Sequence, residues 1–339
     1  FVIIKIYIKS IISKVYKYHM KILAVQNRMG IGDTVIFLPF IKALNEKFNS
    51  PISLLVKESS KADQFLYQTS YIDEIITLER DRKNNNRHSG FLGTWNLVKD
   101  LKKYKFEKIF IFNSSVRFNL IAKLSQIPEI YQYPLLKKYK QHIIDTPKKF
   151  LKNKLNIEIS GDPEIQISNE SINSSFKKYN INKNEINILL GIGGSGPTKR
   201  IPANTFIDIM EKLSKIKKCR FFLATGKDPD EQIILNKILE TRFKDNCFSL
   251  DNFSIRNTLP IIKNCDISVC NDTSFSHLSA ALGIKTITLM ADTPLIYGSY
   301  SSKMIPIIPE GESTVTHNTL GKEKISSEKI FNTIIKTLD

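Results

Sequence analysis

The chain contains two successive series in which short apolar runs alternate with amphipathic stretches, and each series opens on an apolar run followed at once by a glycine-rich turn. Runs of four to eight apolar residues separated by helical patterns form parallel sheets, because a parallel strand needs a crossover to reach its neighbour. In the first series the strands are KILAVQ (21–26), ISLLVK (52–57), IDEIITL (72–78) and KIFIFN (108–113). Helices are expected over VIFLPFIKALNEKF, with Pro39 in its first turns, around 60–69 and near 94–104. Segment 114–165 lacks clear periodicity and carries Lys137, Lys138, Lys140, Lys148 and Lys149. The second series has strands INILLGIG (186–193), CRFFLAT (219–225), DISVCND and KTITLMA (285–291), with helices over ANTFIDIMEKLSKI, after GKDPD, over TLPIIKNC and over TSFSHLSAALG. The tail from Lys324 to Leu338 reads as a final helix.

The expected fold is therefore α/β, with two doubly wound Rossmann-like domains facing a central cleft. The expected limits are 20–168 for the first domain and 169–339 for the second, with a last helix that is free to return to the first domain. In open parallel sheets ligands collect at the carboxyl ends of strands, so the ligand site is expected in that cleft. Residues 1–19 stand apart, being apolar but broken by Lys5, Lys9, Lys14 and Lys17. Two readings are open for them: a basic amphipathic helix lying on an anionic membrane surface, or sequence upstream of a start at Met20.

The formal charge of +17 is spread along a chain rich in Lys, Ile and Asn, and it biases the protein towards anionic partners. A nucleic-acid binder would also interleave aromatics with its basic runs. Phe91, Trp95, Tyr104 and Phe106 lie near such a run, at spacings equally suited to a core helix and strand. No nucleic-acid partner is expected. Four dispersed cysteines, with no Cys-x-x-Cys, suit a reduced cytoplasmic protein, and five dispersed histidines offer no metal-ligand spacing.

Three segments carry chemistry. The turn Gly30-Ile31-Gly32-Asp33 lets backbone approach a ligand at a helix start, as an anion or acceptor turn. Val35 stands where a dinucleotide-binding turn needs its third glycine, and no Walker lysine follows. Asp33 is either a first-turn acid serving the helix or a general base facing the cleft. The loop Gly191 to Arg200 holds four glycines, Ser195, Thr198, Lys199 and Arg200. Its amides and Lys199 suit a pyrophosphate, against the plainer alternative of a flexible turn with a solvated Lys-Arg pair. In Cys270-Asn271-Asp272-Thr273-Ser274, a helix N-terminus follows a strand and the helix closes at Gly283. His277, one turn in, faces either core or ligand.

Taken together and in this order, these segments resemble glycosyltransferase family nine, the ADP-heptose:lipopolysaccharide heptosyltransferases. The resemblance lies in KILAVQNRMGIGDTVIFLP, GIGGSGPTKRIP and DTSFSHLSAALG with its following Asp292-Thr293-Pro294, across roughly residues 20–300. It implies a GT-B fold and inverting, metal-independent transfer of heptose from ADP-heptose to the lipopolysaccharide inner core. Asp33 then matches the catalytic base. Gly194, Ser195, Thr198, Lys199, Asp272, Thr273, Ser274 and His277 match donor and phosphate contacts, and Asp230 or Glu231 approaches the ribose. It further implies no cofactor, with the nucleotide-sugar as substrate, and an acidic glycolipid acceptor such as lipid A–Kdo core. The protein is then peripheral on the cytoplasmic face of the inner membrane. The lysines and arginines around 80–105 and 137–149 either bind that acceptor or are solvated faces. Two departures stand out: Ile201 where many members carry Trp, and Ala-Asp-Thr-Pro at 291–294 in place of Gly-Pro-Thr. Both leave room for another donor or acceptor on the same fold, and beyond that for a binding module without catalysis.

Overall fold

The computed structural model describes residues 19–28, 30–80, 86–135 and 142–338. The extension expected over 1–19 lies outside the described residues except for His19, and so do Lys137, Lys138 and Lys140. The chain divides into two compact units. One comprises 1–27, 40–58 and 70–158; the other comprises 28–39, 59–69 and 159–339. This differs from a single cut at 168/169: the main boundary falls at 158/159, and two short segments of the first series also belong to the second unit. No helix among the described residues is long and apolar enough to cross a membrane.

Along the chain, β1 (Ile22–Val25) leads to α1 (Ile31–Phe48) and β2 (Ile52–Lys57). The short α2 (Ala62–Phe65), β3 (Ile72–Leu78), α3 (Gly90–Lys102) and β4 (Lys108–Ile111) follow. Helix α1 begins four residues before the expected start, so Pro39 lies inside it rather than in its first turns. The unassigned segment proves to hold α4 (Val116–Leu124), β5 (Glu129–Gln132) and α5 (Asp145–Leu155). The sheet of the first unit has the order β3-β2-β1-β4-β5, parallel throughout. Its central strands are buried on both faces, with Leu23, Val25, Leu55, Ile109 and Ile111 in one core beneath α3 and α4. Such double burial explains why these strands read as unbroken apolar runs.

The second unit contains α6 (Asn169–Lys178), β6 (Ile186–Gly191), α7 (Ala203–Ser214), β7 (Cys219–Ala224) and α8 (Pro229–Leu239). Then come β8 (Cys247–Ser249), α9 (Ile255–Lys263), β9 (Ile267–Asn271), α10 (Ser274–Ala281), β10 (Thr286–Leu289), α11 (Ile296–Ser299), β11 (Met304–Ile307) and α12 (Ser327–Leu338). Its sheet, also parallel, has the order β11-β10-β9-β6-β7-β8, so the direction of winding reverses between β6 and β9. Loops leaving the carboxyl ends of those two strands are splayed apart, which leaves room for a ligand. The apolar face of α12 places Ile330 and Ile334 in this unit's own core. Helix α10 stops where expected: Gly283 takes φ +84°, a left-handed conformation at the residue after the cap that L side chains rarely adopt.

Candidate functional site

The loops after β6 and β9 open onto a cavity of about 670 Å³ whose walls come entirely from the second unit. It brings together Gly30, Gly32 and Asp33 with Gly194, Ser195, Lys199, Glu231, Asp272, Thr273, Ser274 and His277. Two of the expected residues are not among its walls. Thr198 lies elsewhere on the glycine loop, and Asp230 pairs with Arg200 at 2.8 Å on the exposed side of α8.

Asp33 sits in the first turn of α1 and does the work of a first-turn acid. Its Oδ2 accepts the Gly30 amide at 3.1 Å, while the Gly30 carbonyl accepts from the Thr34 amide and hydroxyl, both at 3.2 Å. This is one half of a capping box, with the third helical residue reaching back to the cap. A carboxylate has several lone pairs, so capping leaves Asp33 able to accept a proton from the cavity side. Gly32 is required by proximity: a Cβ there would lie 2.5 Å from His277 Cδ2, inside contact distance.

His277 is buried, and its ring stacks on Tyr300 with centroids 5.6 Å apart. Its Nδ1 lies 2.9 Å from the Tyr300 hydroxyl, and Nε2 lies 3.8 Å from Asp272 Oδ1. Burial, with Asp272 and Asp162 nearby, pushes the Tyr300 phenol well above its ordinary range, so it stays protonated. An unprotonated Nε2 would turn a lone pair towards the Asp272 carboxylate. The favoured tautomer therefore carries its proton on Nε2 and accepts from Tyr300 at Nδ1. Burial also pulls the His277 pKa down, against the opposing pull of Asp272 and Asp33.

Asp272 is the electrostatic centre of the site. Burial opposes its ionisation, but His277, Lys199 and the Thr293 hydroxyl outweigh that and hold its pKa below the usual carboxylate range. The Lys199 ammonium donates to its Oδ2 at 2.7 Å. Both shifts make the fold sensitive to acid. The unfolded chain protonates histidine near 6.5 while buried His277 resists, so its contribution to stability is full above that pH and falls below it. Asp272 adds a second loss as the pH falls from about 3.8 towards its lower folded value. Thermal melts across this range should show a shallower decline below pH 6.5 for His277→Gln than for wild type; equal slopes would contradict the assignment.

Glu231 and Arg200 build the glycine loops rather than face a ligand alone. The Glu231 carboxylate accepts the Gly194 amide and the Thr225 hydroxyl, both at 2.9 Å, and also the Gly226 amide. Arg200 donates from Nε to the Gly194 carbonyl at 2.8 Å and pairs with Asp228 and Asp230. It is a brace with a side chain only 10% exposed, not half of a solvated pair. Asn271, at the end of β9, donates from one amide nitrogen to the carbonyls of Ile192 and Gly193, both at 2.9 Å. The phosphate-sized turn is thus held from three sides, with amides and Lys199 left at its rim.

Further walls carry no sign in the sequence motifs: Thr225 and Lys227 after β7, Asp251 and Phe253 after β8, and Tyr297 after β10. All follow carboxyl ends of strands, which is the signal that finds them. Of the two departures, Ile201 is fully buried in the core of the second unit and is absent from the cavity wall, whereas Thr293 lines it. Among the described residues no group of three or more His, Cys, Asp or Glu side chains is placed to hold a metal ion.

Comparison with known proteins bears on the family and the fold. The family model described as glycosyltransferase family 9 (heptosyltransferase) matches residues 122–319. Lipopolysaccharide heptosyltransferase 1 of Campylobacter coli is 26% identical over 149 residues, a match spanning 43% of this chain and 43% of that protein. The chain thus aligns with less than half the length of that relative. The crystal structure of a family 9 glycosyl transferase from Veillonella parvula superposes with a TM-score of 0.75 at 19% identity, covering 94% of this chain and 97% of that one. The E. coli ADP-heptose lps heptosyltransferase II gives a TM-score of 0.71 at 16% identity, covering 94% and 98%. The fold is GT-B, as the family resemblance implied, and its two parallel sheets are those expected from the alternation of strands and helices.

Proposed function

Since the chain belongs to glycosyltransferase family 9, we propose that it is an inverting enzyme that transfers heptose from ADP-heptose to the inner core of lipopolysaccharide, working peripherally at the cytoplasmic face of the inner membrane. One observation carries the mechanism: a carboxylate at a helix start, two amide-rich turns and a lysine share one cavity at the winding reversal of the second sheet. In this proposal Asp33 takes the proton of the acceptor hydroxyl as its oxygen bonds to the anomeric carbon. The bond from that carbon to the diphosphate oxygen breaks on the opposite side, and ADP leaves. Charge grows on the departing diphosphate, where Lys199 and the amides of Ser195, Thr273 and Ser274 stabilise it. Lys199 supplies the cationic charge, so no divalent metal is needed and turnover should persist in chelator. The acceptor is an acidic glycolipid of the lipid A–Kdo type.

A second donor on the same mechanism is favoured by Thr293, which lies in the cavity wall at the 291–294 departure from the family pattern. Equilibrium binding tests the donor assignment before any transfer assay. ADP should bind more tightly than UDP, GDP or adenosine, and Lys199→Ala should weaken ADP by ~10–100-fold, the worth of one charge-assisted hydrogen bond. Adenosine binding as tightly as ADP, or an indifferent Lys199→Ala, would remove the phosphate role. A preference for UDP or GDP would replace the donor.

A further inference from the structure

Exposed large apolar side chains are concentrated in the first unit. Phe91 and Leu92 are 77% and 75% exposed on α3, with Trp95 one turn on, and Val116 and Leu120 face solvent on α4. The first turns of these helices are tied together. Arg117 donates to the Thr94 hydroxyl at 3.0 Å and to the His88 carbonyl at 2.6 Å. As crossovers of one parallel sheet, α3 and α4 also run in the same direction. Each outer face therefore starts apolar and ends basic: Lys99 and Lys102 follow on α3, and Lys123 on α4, all exposed. Acidic charge is nearly absent. α4 has no acid, and the one acid of α3, Asp100, is held ionised by Arg87, with His88 and Lys103 also against it.

We propose that this α3–α4 face is the surface by which the protein docks on an anionic phospholipid membrane. An apolar patch of this kind marks a contact surface. An apolar end beside a lysine end matches a bilayer interface, where side chains enter the acyl boundary and long lysine stems reach headgroup phosphates. A second copy of the chain fits less well. A two-fold contact would set the same lysines across one interface with only Asp100, already paired with Arg87, to receive them. The purpose of such docking rests on the proposed lipid-linked acceptor, but the binding itself is measured without acceptor or donor.

Trp95 is the chain's single tryptophan, so its emission reports this face alone. The full chain is floated with phosphatidylcholine vesicles, plain or containing roughly a third phosphatidylglycerol. It should float with the anionic vesicles, release on added salt, and shift its emission to the blue on binding. The double variant F91S/L92S changes only exposed positions, so it should keep its melting temperature and lose vesicle binding by at least ~tenfold. Its turnover of a water-soluble deacylated acceptor should match wild type, which separates a failure of docking from a failure of the proposed reaction. Flotation with unmoved Trp95 emission, F91S/L92S floating like wild type, or no flotation at all would overturn the assignment. So would a wild-type dimer that F91S/L92S abolishes in the absence of lipid.

Discussion

Asp33→Asn is expected to lower turnover by ~10²–10⁴-fold while donor binding stays within about twofold of wild type. The substitution isolates the proton-accepting role from the capping role. An amide carbonyl oxygen at the same place still accepts the Gly30 amide that Asp33 Oδ2 accepts at 3.1 Å, so the first turn of α1 is preserved. Asp33→Ala removes that acceptor as well and should cost about 1 kcal/mol of stability beyond the loss of turnover, the usual worth of a helix cap. Comparing the two variants by melting temperature and by turnover separates cap from base. Asparagine turning over at near wild-type rate would leave Asp33 a capping residue only.

The largest structural effect is expected at Glu231. Its carboxylate is buried and holds the Gly194 amide, the Thr225 hydroxyl and the Gly226 amide. Hydrogen bonds to a charged acceptor are worth more than neutral ones, and Glu231→Ala leaves buried donors unpaired, so the change should cost about 3–5 kcal/mol. A Cβ on Gly193 would lie 2.6 Å from Glu231 Oε2, so loop and carboxylate are fitted to one another. Loss of donor binding should accompany the loss of stability, because the same carboxylate shapes the turn that presents the Ser195 amide. Glu231→Gln should be intermediate: its oxygen replaces one acceptor, while its NH₂ meets a donor. Denaturant unfolding and calorimetry on both variants check this. Full donor affinity in Glu231→Ala would show that the turn keeps its shape unaided.

The strands most legible in the sequence are those buried on both faces. β1, β6 and β9 show no sustained polar alternation because neither face meets water, and the few polar residues in them, Asn187, Ser268 and Asn271, are themselves buried. β5 was illegible for the opposite reason. EIYQ is a half-exposed edge strand, and its pairing with β4 is decided by the sheet rather than by its own pattern. α5 hides behind DTPKKFLKNKL, a strongly charged stretch, and only Pro147, Phe150 and Leu151 on its inner side mark it as packed. Around 60–69, helical spacing led to a single turn, Ala62–Phe65, opened by Lys61 in a left-handed conformation. The assignment of 28–39 and 59–69 to the second unit is invisible locally, since it depends on approaches such as Gly32 to His277, far apart in sequence.

The candidate site divides along the same line. Glycine turns and DTSFSHLSAALG announce themselves, because close backbone approach and helix starts demand particular residues at particular spacings. Tyr300 does not, since a tyrosine in LIYGSYSSKM has no local sign that its hydroxyl meets His277 at 2.9 Å. Arg200 likewise reads as a solvated cation until its contacts with the Gly194 carbonyl, Asp228 and Asp230 are known. Residues whose task is to hold a loop are specified by the shape of the folded loop, which single-sequence patterns do not carry.

The central claim is that this cavity binds a nucleotide-sugar and that Asp33 draws the acceptor proton. The most direct test is transfer from a nucleotide-sugar panel headed by ADP-heptose onto deacylated lipid A–Kdo acceptor, by wild type and by Asp33→Asn, with donor affinity measured in parallel. ADP release and a heptosylated product of inverted configuration are expected only with ADP-heptose, both lost in Asp33→Asn while the donor still binds. Donor binding by wild type without turnover on any acceptor, or transfer undiminished in Asp33→Asn, would contradict that claim.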